Sequence, residues 1–374
     1  MKGKASTKSA RAGQSDKFPS GTVTYLSPLP LPTGLPPVDH SHIVADVRDE
    51  YLELGAYSPN VFSWQVTIGV PAGVLLLAAL VLPTIMFFGG LTIGDGWWDA
   101  VSVFNQFFVY GLKLGGGFGL FGLLVMLFPR LQAYFKLRGV IPTRFNRQRR
   151  EVCLVPSDSD APVFVPWEEI QAWVVQARGA TQYGVQRQYG FGFGGVDPNT
   201  GMGTNLELMS GGQPLAISTW EALRAYMEYE VNALEEIQDP LDLQKPGDPP
   251  WEGVHTFYNA RERMRRRRRE GEVGWSYPFF WYCYHLLSLW TLPNHLTEWE
   301  VRQVQRLNRR ATPEAVLRWS EPLPEAEWAR PSETFKRLSQ KVREKQKARP
   351  GRLPYEVFAE VYAEEDRLPL ASAN

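Results

Sequence analysis

Arg261, Arg263 and the run Arg265, Arg266, Arg267, Arg268 and Arg269 place seven guanidinium groups in nine positions. They form a dense cation on any backbone. Close to a bilayer, each such residue gains about 1 kcal/mol from anionic headgroups, so several together give surface attachment. Trp275, Trp281 and Trp290 follow, with Tyr277, Phe279, Phe280, Tyr282 and Tyr284 among them, and tryptophan and tyrosine favour the headgroup level of a membrane. The expected chemistry is contact with anionic inner-leaflet lipid or with a protein partner; a solvated arginine helix is the plain alternative. Nucleic acid is set aside, because no recognisable nucleic-acid-binding motif accompanies the arginines.

The other chemistry-bearing residues are sparse. Of the five histidines, His40 and His42 pair without further ligands at a fixed spacing, which reads as an exposed loop, and His255 and His285 read as structural. Cys153 and Cys283 form neither a disulfide framework nor a zinc knuckle. Gly190 to Gly195 has no lysine after its glycines and reads as a glycine-rich strand turn rather than a phosphate loop. No Ser-His-Asp ordering, metal-binding helix or dinucleotide fingerprint occurs. The chain is therefore read as non-enzymatic, with no cofactor and no metal. Equal numbers of basic and acidic residues, 40 each in 374, exclude a polyanion binder or acidic tail as the dominant theme.

The elements that position these residues begin with membrane spans. Val66 to Phe88 exceeds the ~20 apolar residues that a hydrocarbon core of ~30 Å requires. Pro71 suits its first turn, and Pro83 should kink it or end its regular part. A second span runs from about Phe107 to Phe128. Lys113 lies inside it, and its distance from Phe128, ~22 Å at ~1.5 Å per residue, sets it near the far interface, where its stem can snorkel. Gly111, Gly115 and Gly119, with Gly122 nearby, form a ridge for close helix packing against the first span, or against a second copy in a homodimer. Arg130, Lys136, Arg138, Arg144, Arg147, Arg149 and Arg150 follow the second span, whereas the loop Asp95-Gly96-Trp97-Trp98-Asp99 has no basic residue. The positive flank belongs inside. Both termini are then cytoplasmic, and Trp97 and Trp98 anchor the outer interface.

The chain divides into a flexible Pro-containing tail (1–60), the transmembrane hairpin (61–135), an α+β module (140–238), a linker (239–256) and a basic, aromatic and helical C-terminal region (257–374). In the module, Arg144 to Val155 and Val163 to Val165 read as strands, with a turn at Pro156 to Asp160, a Pro166-Trp167 corner and a further strand to Val175. Gln182 to Phe193 and Asn205 to Met209 add strands. A helix capped by Ser218, with Glu221 reciprocating, runs to about Ile237. Ser332 caps an exposed helix that extends to Lys347.

The basic first strand, the Trp-x-x-Ile element (Trp167 to Ile170) and the terminal helix resemble membrane-associated bacterial PH-like domains. The fold class expected is a membrane α-helical hairpin plus a cytoplasmic α+β module, PH-like, with short antiparallel strands closed by a helix, and a mainly helical C-terminal region. Phe145-Asn146-Arg147-Gln148-Arg149-Arg150-Glu151-Val152 and Val165-Pro166-Trp167-Glu168-Glu169, with the two spans and the aromatic C-terminal segment, resemble a bacterial family of uncharacterised two-span membrane proteins. Its members are often encoded beside type VI secretion effectors. That resemblance covers roughly 60–300 and implies an inner-membrane immunity or effector-accessory protein with a toxin or effector as partner. A lipid-sensing adaptor is the alternative.

Overall fold

The computed structural model describes residues 10–55, 59–94, 96–137, 140–155, 161–181, 184–196, 201, 203–238 and 240–367. The chain forms two compact units, one from 1–56, 141–239 and 311–374, the other from 57–140 and 240–310. The turn expected at Pro156 to Asp160 lies outside the described residues, as do Asp95, Arg138 and Gln182.

The first unit is mixed α/β with two antiparallel five-stranded sheets. One has the order β1 (Ser15–Phe18), β2 (Gly21–Tyr25), β8 (Gln171–Thr181), β9 (Gly184–Val196), β10 (Gly203–Ser210). The other runs β3 (Val44–Val47), β4 (Tyr51–Leu54), β5 (Arg144–Asn146), β6 (Glu151–Leu154), β7 (Val163–Pro166). The N-terminal segment expected as a flexible tail thus supplies four strands. Tyr25 pairs with Trp173 and Leu52 with Phe145, and the proline-bearing stretch between them buries Leu26, Leu31 and Asp39. Proline favours extended backbone, and here that backbone lies in a core.

Helix α5 (Gln213–Met227) follows β10 and buries Trp220, Leu223 and Tyr226. It begins after Gly212, so Ser218 and Glu221 lie within it instead of capping it. Glu221 accepts from Arg224 Nη2 at 2.7 Å and from Thr33 N at 2.9 Å. The helix also stops well short of Ile237. Trp167 and Trp220 pack at 5.2 Å between centroids, and Trp167 Nε1 donates to Glu228 at 3.0 Å. The glycines at 190–195 lie inside β9, not at a turn. Trp173 lies across its partner Gly192, where a Cβ would come within 2.5 Å of the indole.

Helices α9 (Glu314–Trp319), α10 (Glu333–Ala348) and α11 (Pro354–Glu365) complete this unit. Ser332 does cap α10, accepting from Phe335 N. The helix is not wholly exposed, since Phe335, Leu338 and Val342 enter the same core as Val357, Phe358 and Val361 of α11. An apolar stripe on otherwise charged helices has to be covered.

In the second unit α1 (Val61–Trp64), α2 (Val70–Leu76) and α3 (Leu82–Ile93) join through π-helical stretches at Gln65–Gly69 and Leu77–Val81 into one helix, Val61–Ile93. Each π stretch ends two residues before a proline, Pro71 or Pro83. The wider turn accommodates the missing donor and the ring's crowding of the preceding carbonyl. Pro71 is therefore interior rather than in the first turn, and Pro83 does not end the helix. Gly94, at φ +99°, closes it in a conformation that suits glycine. Helix α4 (Trp97–Leu137) returns. Both long helices are apolar enough to cross a membrane. Helices α6 (Val254–Arg269), α7 (Ser276–Leu287) and α8 (Leu292–Ala311) complete the unit.

Candidate lipid- and partner-binding site

Helix α6 starts where Val254 N donates to Glu298 at 2.9 Å and Asn294 donates to Gly253 O at 2.8 Å. Phe257 and Met264 anchor its inner face. Its arginines crowd the last turns, where cations complement the partial negative charge of a helix C-terminus. Three of them are engaged by carboxylates: Arg263 with Asp242 at 2.8 Å, Arg267 with Glu272 at 3.0 Å and Arg266 with Glu270 at 3.9 Å. The segment expected as a linker is thus partly folded onto α6, and Asn259 also donates to Leu243 O and Asp248.

Helix α7 is only 12 residues, ~18 Å, too short to cross a hydrocarbon core of ~30 Å. Trp275, Phe279 and Phe280 are exposed on it, while Trp281 is half-buried and Trp290, after the helix, is 37% exposed. Phe257 meets Trp281 at 5.5 Å and Trp290 at 5.2 Å. His285 stands 4.0 Å from Trp281 between centroids, and burial pushes its imidazole down to about 4. Its Nδ1 is buried without a hydrogen-bond partner. Tyr284 donates to Gln65 at 2.8 Å, which sets α7 beside the start of the first long helix.

The glycine ridge meets that helix directly. A Cβ on Gly111 would lie 2.0 Å from Ala78 O, on Gly115 2.7 Å from Ala78 Cβ, on Gly119 3.0 Å from Pro71 O and on Gly122 3.8 Å from Pro71 Cγ. The first helix is thus the ridge's partner within this chain. Lys113 is exposed on the outer side. Its neighbours Gly111 and Gly115 both abut Ala78, so Lys113 is level with the middle of the first apolar run and not near its end. The cause is that α4 starts at Trp97, about 24 Å of helix before Lys113. Trp97 and Trp98 are exposed at the turn, and Trp97 also meets Phe87 edge-on at 5.2 Å.

Sequence reasoning missed the polar network at the other end of the hairpin. Arg130 donates to Glu300 and to Thr67, and Trp64 Nε1 donates to Glu300 at 2.7 Å. Nothing local marks Arg130 and Glu300 as partners. It also counted Arg144, Arg147 and Arg150 as a basic flank, and all three are buried. Arg144 pairs with Glu53 at 2.7 Å, Arg150 with Glu228 at 3.0 Å, and Arg147 donates to Asn232 at 2.9 Å. Asp39 beside the His40 and His42 pair accepts from Val44 N at 2.8 Å, a structural role. Among the described residues no three His, Cys, Asp or Glu side chains gather as metal ligands.

Fold and site together define a mixed α/β protein with two long apolar helices and a separate basic and aromatic helical patch. No family model, curated protein or solved structure matches this chain.

Proposed function

We propose that the chain is a non-enzymatic binding protein of the bacterial inner membrane, of type VI secretion immunity or effector-accessory type, which holds a toxin or effector through its cytoplasmic region. The observation that carries the membrane reading is the bare apolar surface of the helix pair. Leu77, Ile85, Phe118 and Phe121 are each more than half exposed on a hairpin whose inner face is closed by glycine packing, and so much exposed apolar surface supports a lipid surrounding. Arg130 and Lys136 after the second span, against a turn with no basic residue, favour cytoplasmic termini. Three strands, a corner, three strands and a closing helix (β5–β7, β8–β10, α5) support a PH-like reading of the first unit.

The immunity role rests on the family resemblance. Where an effector is encoded beside this protein, its expression should kill cells from which this protein is deleted, and the purified pair should form one stable complex. Survival of the deletion strain would sink the immunity role.

The lipid-sensing adaptor is favoured by the arginine and aromatic segment 261–292. It fails if glutamine at 265–269 leaves vesicle binding unchanged.

A further inference from the structure

The seven arginines of α6 divide by helical face. Arg263, Arg266 and Arg267 share one side of the helix, and each meets a carboxylate; Arg267 also lies 5.4 Å from the centre of the Tyr277 ring of α7. Arg261, Arg265, Arg268 and Arg269 share the opposite stripe, Arg265 standing four, three and four positions from Arg261, Arg268 and Arg269, spacings that bring side chains together on a helix. Among the described residues no carboxylate forms a salt bridge with these four. They line a cleft of about 700 Å³ with Tyr258 on the same helix and Pro278 and Tyr282 from α7. The one acid in the lining, Glu262, is engaged by Lys245 Nζ at 2.5 Å.

We propose that this cleft binds a phosphomonoester group, with Arg261, Arg265, Arg268 and Arg269 as its cationic ligands and Tyr282 lining it from α7. Four guanidiniums facing a single carboxylate, itself shared with Lys245, keep a net positive charge in the cleft, and a doubly charged anion relieves their repulsion. Arginine's planar fork matches phosphate oxygens. Arg261 Nε is buried with no acceptor. Burial raises the Tyr282 phenol, but the nearby Arg261 and Arg265 bring it below its usual value, as expected where cations surround an oxygen.

The phosphate belongs either to a lipid headgroup or to a free phosphate compound. The exposed Trp275, Phe279 and Phe280 on α7 suit the lipid source, and that arm alone rests on the membrane reading above.

The test uses the full chain in detergent micelles, titrated with dioctanoyl phosphatidic acid, dioctanoyl phosphatidylglycerol and inorganic phosphate, read by tryptophan fluorescence. Phosphatidic acid should bind about tenfold more tightly than the singly charged phosphatidylglycerol. Arg265→Gln and Arg268→Gln should each weaken it about fivefold or more, whereas Arg263→Gln and Arg266→Gln, which remove the same charge, should change it less than about twofold. Tyr282→Phe should weaken it by a smaller factor with unchanged helicity by circular dichroism. Equal weakening by all four arginine variants would overturn the cleft and leave diffuse membrane attraction standing. Failure of the wild type to bind either phosphatidic acid or phosphate overturns it as well. Phosphate binding as tightly as the lipid supports the site and assigns it to a soluble phosphate compound.

Discussion

Arg130 and Glu300 meet side chain to side chain at the base of the helical hairpin, with both carboxylate oxygens accepting from Arg130 Nη1, at 3.2 and 3.0 Å. The same guanidinium lies 4.0 Å from the centre of the Trp64 ring. One contact thus joins the first long helix, the second and α8.

Glu300→Ala should destabilise the protein by about 2 kcal/mol. That is less than for a fully buried ion pair, because both side chains keep some contact with water. Arg130 would keep Ser63, Thr67 and the indole, so the loss should be partial. The denaturant midpoint of the detergent-solubilised chain measures it, and an unchanged midpoint would show that the contact contributes nothing.

The glycine ridge predicts a graded series. Gly111→Val should cost the most, about 1–3 kcal/mol or more, because its Cβ meets backbone that cannot yield. Gly119→Val should cost less and Gly122→Ala little. Gly117→Ala, with open space around it, should be neutral. Thermal unfolding of the four variants reports the order, and equal effects at Gly111 and Gly117 would contradict the packing.

A fragment limited to 140–238 should not fold. Its strands β5 and β8 would lose β4 and β2, and its core would lose Phe335, Leu338, Val357 and Phe358. Joining 10–55, 141–238 and 311–367 through short flexible linkers in place of the intervening chain should restore near-ultraviolet circular dichroism and protease resistance. A stable 140–238 fragment would refute the interleaved unit.

Acidification should loosen the two units in different windows. His285 has its pKa lowered by burial from 6.5 to about 4. Protons then favour the unfolded state, and this contribution is lost as pH falls from about 6.5 towards 4. In the first unit Glu360 is lowered from 4.5 to about 2 by hydrogen bonds from Lys345 and Arg352. Its contribution is present above 4.5 and lost towards 2. Hydrogen exchange against pH should show α6 and α7 opening before α10 and α11. His285→Phe should flatten the upper window, and an unaltered profile in that variant would remove His285 as its cause.

The sequence by itself determined the features whose signal is local. Two long apolar runs, the second broken only by Lys113, specify the long helices, glycine every fourth residue specifies their close approach, and Ser332 specifies the start of α10. The Pro166-Trp167 corner between β7 and β8 was legible for the same reason. Tertiary structure alone decided which distant segments complete the first unit. Strand pairings such as Tyr25 with Trp173 depend on side chains far apart in the chain, and no period in the 10–55 segment distinguishes a proline-bearing strand pair from a tail. It also decided which arginines face a partner. Arg150 and Arg265 are the same cation in sequence, yet one is buried against Glu228 and the other lines an open cleft. The carboxylates that neutralise a charge, or leave it free, are brought to it only by the fold.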